Sequence, residues 1–218
     1  LRMDSKSKNW KSGINTFFPI PYYLNQADEW IIDDIQEELI SVCDDIEWER
    51  RTHWRSDAHS LIPNAFSRNI IDEYDCKNFK SFLDDSIKAY VTPLVDNAPF
   101  SYAISASWLT KTEKGQYASE HSHGSVDISG VYYIKTNGND GKLGFNSPHQ
   151  SSASNPLMCN IAYKHKIPLE VGVIALWPGY LSHDTDANQT DDTRISMSFN
   201  IMLGKGGIDS ETLLRARI

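Results

Sequence analysis

Long apolar runs are missing from this chain: nowhere do about 18 consecutive apolar residues occur, the length a helix needs to cross a bilayer. Basic charge is in deficit. Lys and Arg total 21 against 29 Asp and Glu, a formal net charge of -8, and no like-charged run dominates any segment. This balance argues against a nucleic-acid backbone or an anionic membrane surface as the main partner. Cysteine is scarce too: Cys43, Cys76 and Cys159 are odd in number and far apart, which fits reduced thiols in a cytosol better than a disulfide framework or a zinc knuckle. Internal repeats and low-complexity tracts are absent, so solenoids and flexible linkers drop out. With no signal-like start, the expectation is a cytoplasmic protein that neither spans a membrane nor is secreted; the opening LRMDSK is left out of the fold reading.

What is present suits one domain, 218 residues that are 40% hydrophobic and 23% charged. We read residues 1–99 as an N-terminal arm with supporting helices, 100–203 as the core and 204–218 as a tail. NTFFPIPYYL (15–24) mixes aromatics with two prolines, the pattern of an edge strand or extended arm. NQADEWIIDDIQEELISVCDD then places Trp30, Ile31, Ile35, Leu39 and Val42 at three-to-four spacing, which predicts an amphipathic helix with these side chains inward. A second helix carries Phe79, Phe82, Leu83, Ile87, Tyr90, Val91 and Leu94 at the same period. Between them lies the polar ERRTHWRSDAHS, with Arg50, Arg51, Trp54 and Arg55; it reads as a connector, or as a lid or peptide-docking strip.

From residue 100 the period changes to two. FSYAISASWLT and RISMSFNIML alternate, SGVYYIKT is rich in aromatic and β-branched residues, and turn signals fall at NGNDG (137–141), PHQSSASNP (148–156) and NQTDD (188–192). The expected fold is α+β and mainly β: an antiparallel sandwich or jelly roll with the two helices on one side.

The chemistry concentrates in the β half. In an extended segment His121 and His123 share a face, and His183 follows the apolar strand VGVIALW at a Pro-Gly turn. Three imidazoles suit iron, copper, nickel or zinc, although a single histidine in a chain with seven is more often a surface or hydrogen-bonded residue. His53, His59, His149 and His165 have no neighbour at ligand spacing. Alternation also puts Arg194 and Ser196 on one face of the last strand. A buried arginine stays charged and needs an anion, either an internal Asp or Glu or the carboxylate of a small bound acid, to which Tyr133 can add its hydroxyl.

HSHGSVDISGVYYIKT, GKLGF, VGVIALWPGYLSHDT and RISMSFN, in this order, resemble the family of 2-oxoglutarate- and Fe(II)-dependent oxygenases related to prolyl hydroxylases, and the DISG variant resembles members from marine bacteriophages. The resemblance covers about residues 100–203. It implies a double-stranded β-helix, a jelly roll of eight strands, with Fe(II) at its mouth and 2-oxoglutarate as co-substrate. On this likeness His121, His123 and His183 are the metal ligands, with His123 where relatives carry a carboxylate. Either three histidines form the site, or Asp127 turns back past Gly124 to supply the carboxylate. Arg194, Ser196 and Tyr133 would grip the far carboxylate of 2-oxoglutarate.

The implied activity is a dioxygenase that takes dioxygen and 2-oxoglutarate, releases succinate and carbon dioxide, and hydroxylates a peptide, protein or small molecule; if phage-encoded, it would work in the host cytoplasm. Trp108, Trp177 and Tyr180 would line the substrate pocket, or simply fill the core. Two other readings are a cupin-like metal-binding barrel without oxygenase activity and a purely structural jelly roll. Neither needs a buried carboxylate clamp.

Overall fold

The computed structural model of the chain describes residues 19–51, 59–61, 68–148, 164–168 and 170–215, with the main chain alone at 50, 51 and 59–61. In chain order the elements are β1 (Tyr23–Gln26), α1 (Glu29–Asp45), β2 (Glu49–Arg51), β3 (His59–Leu61), α2 (Ile70–Glu73), α3 (Lys77–Leu94) and β4 (Phe100–Thr112). They continue with β5 (Ile128–Lys135), β6 (Leu143–Asn146), β7 (Lys164–Ile167), β8 (Val173–Pro178), β9 (His183–Thr185), β10 (Arg194–Lys205) and α4 (Ser210–Arg215).

The helical periodicity predicts α1 and α3 because each repeats a buried stripe. Ile35, Leu39 and Val42 face inward from α1; Phe79, Leu83, Ile87 and Val91 do so from α3. Each such side chain contributes about 1.5–3 kcal/mol when fully buried. Trp30 departs from the expected inward stripe: at 78% exposure it stands in solvent, one residue into α1. A side chain in the first helical turn leans back toward the entering chain rather than over the sheet, so periodicity alone misplaces it.

The strands form two sheets. Seven run in the order β1-β8-β5-β10-β4-β3-β2 and three in the order β7-β6-β9, with every named pairing antiparallel. Alternation along the central strands divides the large sheet's two faces. Tyr132, Ile134, Ile174, Leu176, Met197 and Phe199 pack against α1 and α3, with Phe79 5.1 Å from Tyr132 and 6.1 Å from Phe199 between ring centroids. Val131, Tyr133, Ala175 and Trp177, the residues between, face the small sheet and join Leu143, Phe145 and Ile167 in a second cluster. The result is a mainly antiparallel, jelly-roll-like β-domain with helices on its outer face.

Three segments differ from the sequence reading or extend it. The edge-strand pattern of NTFFPIPYYL becomes β1, which borders the large sheet through β8; residues 15–18 lie outside the described residues. The polar connector contributes β2 and β3, paired with each other and with β4, because hairpin pairing satisfies its main-chain groups; its middle, residues 52–58, lies outside the described residues. The expected tail includes α4, whose Leu213 is buried beside Ala103 and Met202.

Candidate metal centre

The gap between the two sheets opens into a cavity of about 80 Å³. Its floor is a ladder of cross-strand pairs on the central strands: Ser198 opposite Trp108 and Val131, then Ser196 opposite Thr110 and Tyr133, then Arg194 opposite Thr112. Strand alternation explains why Arg194, Ser196 and Ser198 share this face. The β10 register shifts within this row between Ile195 and Ser196 against β5, and just beyond it between Asn200 and Ile201 against β4. Such bulges re-aim side chains at site rims.

Three imidazoles converge at the cavity. His121 and His183 form an isolated antiparallel bridge and exchange both main-chain hydrogen bonds at 2.9 Å. The His123 amide donates to the Gly179 carbonyl at 2.8 Å, so the segment carrying the two paired histidines is stitched to the turn that leads into β9. Only glycine fits at 179, since a Cβ there would sit 2.3 Å from the Val126 carbonyl oxygen and 2.8 Å from that of His123. The ring centroids of His121 lie 5.1 Å from His123 and 4.3 Å from His183, and the ligand atoms of all three fall within 4.8 Å of one another.

Each ring is held through Nδ1. His121 bonds the Ser119 carbonyl at 2.7 Å, His183 the Leu181 carbonyl at 2.9 Å, and His123 the side-chain oxygen of Asn200 at 2.6 Å. These oxygens only accept, so each Nδ1 carries the proton and leaves the Nε2 lone pair for a metal. Burial holds all three rings neutral. It lowers the His121 and His123 pKa values and pushes His183 down to about 3, with the neighbouring His121 adding to the effect. Neutral, pre-oriented imidazoles are a fit donor set for a divalent transition metal.

Among the described residues no carboxylate belongs to this cluster. The Asp127 carboxylate instead accepts the Leu203 amide at 2.8 Å, across the β10 end. Asp184, next to His183, pairs with Lys164 at 2.5 Å.

Arg194 is 3% exposed, and its Nη1 donates to the Asp140 carbonyl at 2.5 Å while Nη2 reaches Thr185 Oγ1 at 3.3 Å. No carboxylate among the described residues forms an ion pair with it. Gly141, at φ +113°, lets the Asp140 turn approach, because a Cβ would fall 2.7 Å from Nη1. Tyr133 is buried on the same floor; burial pushes its hydroxyl pKa up, and Arg194 pulls it back.

The aromatic residues divide. Trp108 lies over His123 at 5.9 Å between centroids and Trp177 stands edge-on to His183 at 4.8 Å, both lining the cavity; Tyr180 is 58% exposed. Of the other histidines, His165 sits on β7 beside Tyr22, only the main chain of His59 is described, and His53 and His149 lie outside the described residues, as does most of PHQSSASNP. Sequence reasoning missed Asn200, Thr110, Thr112, Thr185 and the Asp140 carbonyl. For Asn200 a signal existed: it continues the alternation of Arg194, Ser196 and Ser198.

Comparison with known proteins gives one family match and several structural likenesses. Residues 106–200 match the family model described as "Putative 2OG-Fe(II) oxygenase". No curated protein matches the chain. Among solved structures, the non-haem α-ketoglutarate-dependent carbocyclase SnoK from nogalamycin biosynthesis superposes with a TM-score of 0.62 at 11% identity, covering 91% of this chain and 87% of its own. A prolyl hydroxylase from Trichoplax adhaerens, in complex with a hypoxia-inducible-factor peptide fragment, gives 0.58 at 10% identity, with 90% and 87% covered. HygX from Streptomyces hygroscopicus, with nickel and 2-oxoglutarate bound, gives 0.54 at 13% identity, with 88% and 85% covered. At such identities the structures speak for the fold. The family match over residues 106–200 and the histidine cluster both fit the chemistry of a 2-oxoglutarate- and Fe(II)-dependent oxygenase.

Proposed function

We propose that the chain works as one domain of double-stranded β-helix type, a hydroxylase that holds Fe(II) on His121, His123 and His183 and 2-oxoglutarate on Arg194. Fe(II) with 2-oxoglutarate supplies the oxidation: one atom of dioxygen enters the substrate as hydroxyl, the other enters succinate, and carbon dioxide leaves. The carrying observation is the buried Arg194 on the same cavity floor as the three histidines, without a carboxylate of the described chain to pair with. A cupin-like binding module or a structural jelly roll has no use for this cation, whose burial is unfavourable until an anion arrives.

The residues divide the work. Arg194 presents two N–H groups to a carboxylate, and the hydroxyls of Ser196 and Tyr133, opposite each other on adjacent strands, add donors beside it. Neutral Nδ1-protonated imidazoles keep the metal site at the ion's own charge. Trp108 and Trp177 wall the cavity and exclude water. The substrate is a peptide, protein or small molecule, by likeness to relatives of both kinds. Among the described residues no helix is long and apolar enough to cross a membrane, which accords with work in the cytoplasm; the DISG variant suggests a phage origin and so a host cytoplasm.

Succinate formation tests the function. Iron-loaded protein should convert 2-oxoglutarate to succinate, faster with a true substrate, and the turnover should vanish in H183A. A protein that binds neither Fe(II) nor 2-oxoglutarate refutes the reading.

A further inference from the structure

The three histidines are not anchored alike. His121 and His183 each bond a main-chain carbonyl two residues earlier in the chain, Ser119 and Leu181, so no side chain is needed to set their rings. The His123 Nδ1 is held by a side chain, through its 2.6 Å bond to Asn200 Oδ1. Asn200 is itself held from several directions. Ser129 Oγ donates to the same Oδ1 at 3.2 Å, Ser105 Oγ donates to the Asn200 carbonyl at 3.3 Å, and the β10 register against β4 shifts immediately after it. This bracing fixes the acceptor before any metal arrives.

We propose that Asn200 is the positioning residue of the third ligand. Its amide oxygen holds the Nδ1–H of His123 and so commits Nε2 of that ring to the metal. The inference rests on the reading of the histidine cluster as the metal site. An amide suits the task because its oxygen accepts the hydrogen bond from Nδ1–H without adding a negative charge, so the centre keeps three neutral donors; a hydrophobic residue at 200 would leave the ring free to rotate and to present either nitrogen. His123 occupies the position that the motif likeness associates with a carboxylate, which makes its orientation the most demanding of the three.

Cobalt(II) titration of the full chain, followed by its visible ligand-field spectrum, tests this independently of turnover. N200A should bind Co(II) about 10- to 100-fold more weakly than the wild type, with an altered band shape. N200D, which keeps an acceptor oxygen in the same place, should restore affinity to within a few-fold. In an H123A background N200A should change nothing further. The proposal is overturned if N200A binds like the wild type, or if it weakens binding equally in the H123A background, the mark of general packing damage. A wild-type chain that takes up no Co(II) overturns the metal centre, and the proposal with it.

Discussion

Replacing Arg194 by Met separates what the cation does for the fold from what it does for the ligand. In the free protein two effects oppose. Removing the guanidinium leaves the Asp140 carbonyl without its 2.5 Å donor, at a cost of about 1–3 kcal/mol for an unsatisfied buried group. The same change removes a cation that is 3% exposed and lacks an ion-pair partner among the described residues, and exchanging buried charge for apolar volume is often neutral or stabilising by about 1–4 kcal/mol. R194M should therefore unfold in urea close to the wild type.

The ligand-bound protein should behave differently. Loss of a buried, two-pronged contact to a carboxylate costs about 2–5 kcal/mol, and about 3 kcal/mol corresponds to a roughly hundredfold weaker Kd. Calorimetric titration of 2-oxoglutarate into protein loaded with Mn(II) measures it directly. Thermal shift gives a second reading: at a ligand concentration that is about 100 times the wild-type Kd the wild type gains about 2.7 kcal/mol, and R194M should gain only a few tenths. Binding of 2-oxoglutarate by a folded R194M within threefold of the wild type refutes the assignment.

Other expectations follow from burial and bonding. In the metal-free protein His183 is held neutral down to about pH 3 by burial and by His121 and His123, so between about pH 6.5 and pH 3 the unfolded chain binds a proton that the folded chain refuses. Stability should fall as pH drops through that window, by up to about 1.4 kcal/mol per pH unit for this group; H183N should flatten the slope, and equal slopes in urea titrations would count against the buried neutral ring. Asp127 offers the contrasting case. D127A should lose about 1 kcal/mol of stability with the acceptor for Leu203 yet keep Fe(II) affinity in a chelator competition, whereas a large loss there, with little in H123A, would move the ligand from His123 to Asp127. F199A deletes a fully buried ring packed between Phe79 and the Gly130 main chain and should cost about 3–5 kcal/mol in urea unfolding.

Much of the architecture was legible because two periods run through the chain. The three-to-four spacing of Ile35, Leu39, Val42, Phe79, Leu83 and Ile87 is local, and α1 and α3 carry those residues inward. The alternation of RISMSFN put Arg194 and Ser196 on one face, where the cross-strand register has them. Illegible were features that depend on neighbours. Trp30 fits the helical period and stands in solvent; β2 and β3 sit in a polar segment whose pairing partner is over 40 residues away. Asn200 was quoted within a motif without a task, since its partner His123 lies 77 residues earlier.

The sequence by itself determined which residues could do chemistry here, since residue type and period are properties of the local chain: a pair of histidines two apart, a third beyond a Pro-Gly turn, and an arginine and a serine on one strand face. Tertiary structure alone decided which nitrogen each histidine offers, which way Asp127 turns and how Arg194 is partnered. Those outcomes depend on main-chain carbonyls, on Leu203 and on the Asp140 turn, groups with no signature of their own until two sheets bring them within hydrogen-bonding distance.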